Sequence, residues 1–445
     1  MPPNATYADA CPDETAPYEK TPYEKTRRTV NDLLDPAVLA VRPQPLGAFP
    51  LPVGYLLVPA SADTEAARLA LLTGQVPQWP AALRAHELAL AGDRDGALAE
   101  LTGTDPITRY NRFVMDPDAE NPDELRSLLG EFGVLVDVVL FALGRIDTAP
   151  EIGDATAELA ALIGSARAGA ALDAGDPMAA VAELDRAAEA ALEVSGPLSG
   201  VLIGASASVV ADTDRADAVS RFQRALRALE GAEGLRVARA ELHLSLAGLL
   251  HEHSGDRPDL LAQAVPHYHS ALQLVLREEA PLLWASAHAN LATAYLTMPM
   301  TEASGQLRLG VAAQSLRSAL KVYTREDYPE QWASVQLNLA NSLVYTPSSH
   351  QMDNLVEAVE LYEGVLAARD RGTDPLGRAR VLANQGNVLA HLGDFDRAKA
   401  KLYEARFLFE ELGDHDSVRT VRGVLDEIAR QGALSRTEGD GAHDD

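Results

Sequence analysis

The sequence predicts an all-α protein: a solenoid of antiparallel helix pairs preceded by an irregular, mostly helical module. The first observation is the stretch from Arg378 to Leu412. Leu382, Gln385, Gly386 and Leu389 fall on one helix, Gly393-Asp394-Phe395 forms a turn, and Ala398, Leu402 and Ala405 follow at i, i+4, i+7 on a second helix. Gly386, Ala398 and Ala405 are small where two helices must approach closely. The second observation is recurrence. The second-helix signature appears again as Ala180/Leu184/Ala187, Ala218/Phe222/Ala225, Ala264/Tyr268/Ala271, Ala312/Leu316/Ala319 and Ala358/Tyr362/Val365. The third is composition: 47% hydrophobic and only 5% aromatic residues suit thin, alanine-lined helix interfaces rather than one large aromatic core.

In chain order, residues 1–30 are rich in Pro, Asp, Glu, Lys and Thr and are expected to be disordered. They hold the tandem PYEKT at Pro17–Thr21 and Pro22–Thr26, read as a slipped duplication or a docking motif. Residues 31–150 form the irregular module. In it Val53–Val58 reads as a buried strand or an extended segment against the first helices, and Thr64–Thr73 as a short helix. Pro80–Leu101 reads as a hairpin turning at Gly92-Asp93, with Ala97 and Leu101 in the places of Ala398 and Leu402. Asp105-Pro106 and Asn121-Pro122 are start signals for three further helices up to Asp147. Residues 151–412 form the regular array, with turns at Gly175-Asp176 and Thr213-Asp214. Residues 413–431, from His415 to Gln431, form a capping helix, and residues 432–445 a disordered tail.

The first helices align through Leu244–Ala247, Asn290-Leu-Ala292, Asn338-Leu-Ala340 and Asn384-Gln-Gly386. Ala271, Ala319 and Val365 each precede the next of these asparagines by the same 19 residues, so the stacking geometry repeats. The spacing L-x2-Q-G-x2-L followed by A-x3-L-x2-A resembles the tetratricopeptide repeat. With the connector from Tyr323 to Ala340 it is similar to the long-period form found in actinobacterial and cyanobacterial proteins, often joined there to a caspase-like protease domain. The resemblance is strong over residues 235–412 and weak over 79–234. It implies a right-handed superhelix whose first helices line a concave groove that binds a protein or peptide. It implies no catalysis, since the single cysteine, Cys11, lies in the N-terminal tail.

By that resemblance the groove positions are Asn290, Asn338, Asn341, Asn384 and Asn387, with Arg380 and, nearby, Tyr345 and His391. An amide both donates and accepts, which suits the backbone of an extended segment. The other reading is that these asparagines cap or cross-link neighbouring helices. The family's carboxylate clamp needs several Lys and Arg. Only Arg380 is in place here, beside Ser286, Ser334, Ala289, Leu337 and Ala383, so an amphipathic helix or uncharged extended segment is the expected ligand.

Six of the eleven histidines lie between His243 and His288. Residues two apart on a helix point roughly 200° apart, so neither His-x-His pair chelates within one helix. Helix packing is the expectation for them, a metal site the alternative. Asp93-Arg-Asp95-Gly96 is read as a turn rather than a calcium loop, and Trp284 and Trp332 as repeated core wedges.

The motifs of P-loop, dinucleotide-binding, zincin and serine-hydrolase chemistry are absent, so no enzyme activity, cofactor or metal is expected. A net charge of -27 argues against nucleic acid or an anionic membrane as partner. The apolar run Gly133–Gly144 is too short to span a bilayer, MPPNATYADA lacks the features of a signal peptide, and one cysteine permits no internal disulfide, so a cytoplasmic location is expected. The functional expectation is an interaction scaffold. The alternatives are an assembly factor for a metalloenzyme of hydrogenase type, or a peptide-sensing regulator.

Overall fold

The computed structural model describes residues 56–59, 61–255, 257–298, 305–345, 350–369, 372 and 374–440. The expected N-terminal tail with its tandem PYEKT and Cys11, and most of the segment leading into Val58, lie outside the described residues. Among the described residues every regular element is a helix. The chain divides into two compact units, residues 1–287 and 288–445.

In the first unit, α1 (Glu65–Leu72), α2 (Arg84–Leu90), α3 (Arg94–Glu100), α4 (Pro106–Met115), α5 (Pro122–Leu129) and α6 (Val134–Ala142) form the irregular module. The start signals act as expected. Asp93, Asp105 and Asn121 accept hydrogen bonds from first-turn amides of α3, α4 and α5, which would otherwise lack partners. Tyr110, Phe113, Leu125, Leu135 and Leu56 fill one core. Leu56–Val58 has no regular structure, so its backbone needs other partners. The buried Asn111 side chain accepts from Leu57 N–H at 2.8 Å and donates to Leu57 C=O at 2.9 Å, and His86 Nε2 meets the same carbonyl at 3.0 Å. One buried amide thus does for this segment what a neighbouring strand would do.

Three regular pairs follow: α7 (Ala157–Asp173) with α8 (Pro177–Leu192), α9 (Gly196–Val210) with α10 (Arg215–Ala228), and α11 (Arg236–Glu252) with α12 (Pro258–Leu274). Asp176, Ser195 and Asp214 cap α8, α9 and α10. The signature residues are buried: Ala180, Ala218, Phe222, Ala225, Ala264, Tyr268 and Ala271 are at most 1% exposed. The first two pairs close tightly where a glycine, Gly164 on α7 or Gly200 on α9, faces the partner helix. A Cβ on Gly200 would stand 2.8 Å from the Cβ of Ala228, nearer than side chains tolerate. The module is tied to this array. Ser195 Oγ donates to Leu72 C=O at 2.6 Å, Gly234 N–H to Gly74 C=O at 2.8 Å, and Gln75 Nε2 to Gly231 C=O at 2.6 Å.

The division between the units falls within α13 (Pro281–Thr297). The second unit continues with α14 (Gly305–Ala319), α15 (Pro329–Tyr345), α16 (Gln351–Ala368), α17 (Pro375–His391), α18 (Phe395–Leu412) and α19 (His415–Asp440). α15 packs on α16, α17 on α18, and α19 covers α18. Ala358, Val365, Ala398, Leu402 and Ala405 are completely buried, and Tyr362 is 1% exposed. A Cβ on Gly386 would stand 2.6 Å from Leu402 Cγ, so the closest approach of α17 and α18 is possible only with glycine there. The last helix, α19, runs from His415 to Asp440, across the boundary expected at 431.

Candidate partner-binding site

Asn338, Asn341 and Tyr345 stand at i, i+3 and i+7 on α15, and Asn384, Asn387 and His391 stand at the same offsets on α17. That spacing puts each triplet on one helix face. The two stripes abut, since Asn384 Nδ2 donates to Asn341 Oδ1 at 3.2 Å. The same oxygen accepts from the Tyr362 hydroxyl at 2.6 Å. Asn341 therefore uses its carbonyl to tie α15 both to its own partner helix α16 and to the next first helix α17. Burial pushes the Tyr362 phenol well above its ordinary pKa, so it remains a neutral donor to Asn341.

The other candidate residues divide sharply. Asn338 is half-buried, and its side chain makes no hydrogen bond among the described residues; Asn387 Oδ1 is shielded from solvent and accepts none there. Tyr345 is 60% exposed and His391 is exposed, so each stripe ends in a ring open to solvent. Asn290 is half-buried on α13, and among the described residues no hydrogen bond joins it to the stripes. Arg380 is half-buried. The Asp414 carboxyl, held below its ordinary pKa first by hydrogen bonds from Ser417, feels the Arg380 charge as a smaller contribution.

Sequence reasoning did not anticipate the bridge beside the stripes. Gln385 is completely buried, donating to Val359 C=O at 3.2 Å and to Glu363 Oε2 at 2.6 Å, where Lys401 Nζ also binds at 3.0 Å. These contacts hold the Glu363 carboxyl below its ordinary range, the Gln385 hydrogen bond most of all. They link α16, α17 and α18. A glutamine at a fully buried helix position was the available signal, because a buried amide must find partners.

In the first unit the histidines do meet, though between helices rather than along one. His243 Nδ1 of α11 lies 2.9 Å from His267 Nδ1 of α12, with the ring planes at 33°. Only one of the two nitrogens can carry the proton in such a contact. Burial lowers the pKa of both rings and takes His243 to about 4, with the His267 ring a smaller cause. His251 Nδ1 meets the Tyr268 hydroxyl at 3.3 Å, and His253 Nδ1–H donates to Leu249 C=O at 2.9 Å. Among the described residues no three His, Cys, Asp or Glu side chains are grouped to hold a metal ion. Trp332 stacks under the Arg325 guanidinium, 5.6 Å from the ring centroid. No helix among the described residues is long and apolar enough to cross a membrane.

No family model matches the sequence, and no curated protein does. Among solved structures the chain is similar to a Rap protein complexed with competence and sporulation factor, at 15% identity and a TM-score of 0.38, covering 79% of this chain and 96% of that one. It is also similar to the apo form of RapI, at 15% identity and a TM-score of 0.44, covering 77% of this chain and 94% of that one.

Proposed function

We propose that this chain is a non-catalytic interaction scaffold of tetratricopeptide type that holds a segment of a protein partner along the first helices of its second unit. The observation that carries the reading is the pair of abutting stripes on α15 and α17. Each is an amide–amide–ring triplet, and only the inner contact, Asn341 with Asn384, is used up within the fold. Asn338 keeps capacity for a peptide backbone, the Asn387 oxygen becomes available to one only if its side chain turns outward, and Tyr345 and His391 offer flat apolar surface beside them. The close approach at Gly386 supports the repeat type. The charge of -27 favours neutral or basic protein partners over nucleic acid.

The test separates binding from packing. Asn338→Ala with Asn387→Ala leaves the Asn341–Tyr362–Asn384 contacts in place, so helicity and melting should match the wild type. Affinity capture from the native host is then compared between the two proteins. Loss of a partner with the variant alone supports the groove; an unchanged set of partners refutes it.

A further inference from the structure

We infer that the N-terminal module carries a separate binding site, a cleft that takes the apolar and basic side chains of an amphipathic peptide. The cleft holds about 760 Å³, within the range of sites that enclose a ligand. Its floor is apolar, with Leu57, Ile107, Leu128, Phe132 and Ile152 among the lining residues. Leu128 is 47% exposed, although the core residue Leu129 beside it is buried. The module therefore spends apolar surface on water at this place.

The charges say what would cover it. Glu131, Glu151, Asp154 and Glu158 line the same cleft, and Arg68 is the only basic residue among the described lining. Arg68 is turned to Glu65 at 3.1 Å, and Glu151 is held by Arg167 at 3.0 Å. Glu131 and Asp154 are exposed and make no ion pair among the described residues. An apolar floor with two unneutralised carboxylates at its edge suits Leu or Phe side chains flanked by Lys or Arg, and repels acidic chains and anionic lipid. Ala157 is also in this wall, and it is the one described non-glycine residue with positive φ, at 50°. The chain holds an unfavourable conformation there that its neighbouring helix starts do not need.

The probe is a labelled helical peptide of Leu and Lys, with Leu at i, i+3, i+4 and i+7, titrated into the full chain at low ionic strength. Saturable binding is expected, with no binding of the same peptide carrying Glu for Lys. Glu131→Gln with Asp154→Asn should weaken it about tenfold, since two exposed ion pairs are lost. Leu128→Asp should weaken it at least as much, and Asn338→Ala with Asn387→Ala should leave it unchanged. Both cleft changes are at exposed, unpaired side chains, and circular dichroism checks that the fold persists. Equal binding to the wild type and the Glu131/Asp154 variant would mean diffuse attraction to an acidic protein and overturns the proposal. So would self-association of the chain through Leu128 without peptide binding, which would assign the cleft to a second copy.

Discussion

The two units use the side-chain amides of their interiors differently. In the first, Asn111 serves one irregular segment, supplying both backbone partners of Leu57. In the second, Asn341 and Gln385 serve neighbouring helices, joining α15 to α16 and α17, and α17 to α16. The residues are chemically alike, so the side chain does not decide the role; what decides it is which groups the backbone leaves unpaired nearby. A helix satisfies its own interior N–H and C=O, and its buried amides are then free to link side chains across pairs. A coil such as Leu56–Val58 has unpaired backbone and claims the amide first.

The comparison breaks most visibly at Asn111. Asn111→Ala strands a buried N–H and removes one of two partners from the Leu57 carbonyl, and each lost partner costs about 1–3 kcal/mol. We expect the first unit to lose roughly 2–4 kcal/mol, with the second unit unchanged. Trp79 packs against this core, so its fluorescence during urea unfolding, with Trp284 and Trp332 replaced by Phe, reports the first unit alone. An unshifted Trp79 transition would show that the segment is held by apolar burial and not by the amide.

A smaller effect comes from pH. His251 is 3% exposed, and burial takes its pKa down to about 4. The unfolded chain, with a histidine pKa near 6.5, binds the proton more readily. Stability is therefore full above pH about 6.5 and falls as pH drops toward the folded value, by at most about 1.4 kcal/mol per pH unit for this residue. Over pH 7 to 5 the protection of α11 and α12 amides, taken relative to the intrinsic exchange rate at each pH, should fall, and His251→Gln should flatten that dependence. His243, at about 4 as well, adds to the slope with less weight because it is only partly buried.

Much of the array was legible in the sequence. Ala-x3-Leu-x2-Ala is a statement about one helix against its own partner, and every such triplet is buried where expected. Caps were legible too, because Asp or Asn before Pro acts locally. The candidate stripes could be placed by spacing alone, but the use of Asn341 by Tyr362 could not. That contact depends on the register between α15 and α16, which no single-helix period encodes. The His243–His267 contact escaped for the same reason: a period describes His-x-His on one helix and is silent about a ring on the next helix. The cleft left no signal at all, since its lining is drawn from elements scattered between Leu57 and Leu159.

The smallest effect is the one that tests whether amides in the second unit link helices or merely fill space. Tyr362→Phe removes the hydroxyl that Asn341 accepts at 2.6 Å, and Asn341→Ala removes both that acceptor and the Asn384 contact. Each should cost about 1–2 kcal/mol, the Asn341 change more because Tyr362 then keeps a buried hydroxyl without its acceptor. If the bond carries the cost, the double variant will be more stable than the summed single effects imply, by about 1 kcal/mol. Trp332 on α15 reports the unfolding when Trp79 and Trp284 are Phe. Strict additivity would mean that Tyr362 stabilises through its ring alone. Asn341 would then be available to a ligand after all, and the stripe on α15 would have two free amides rather than one.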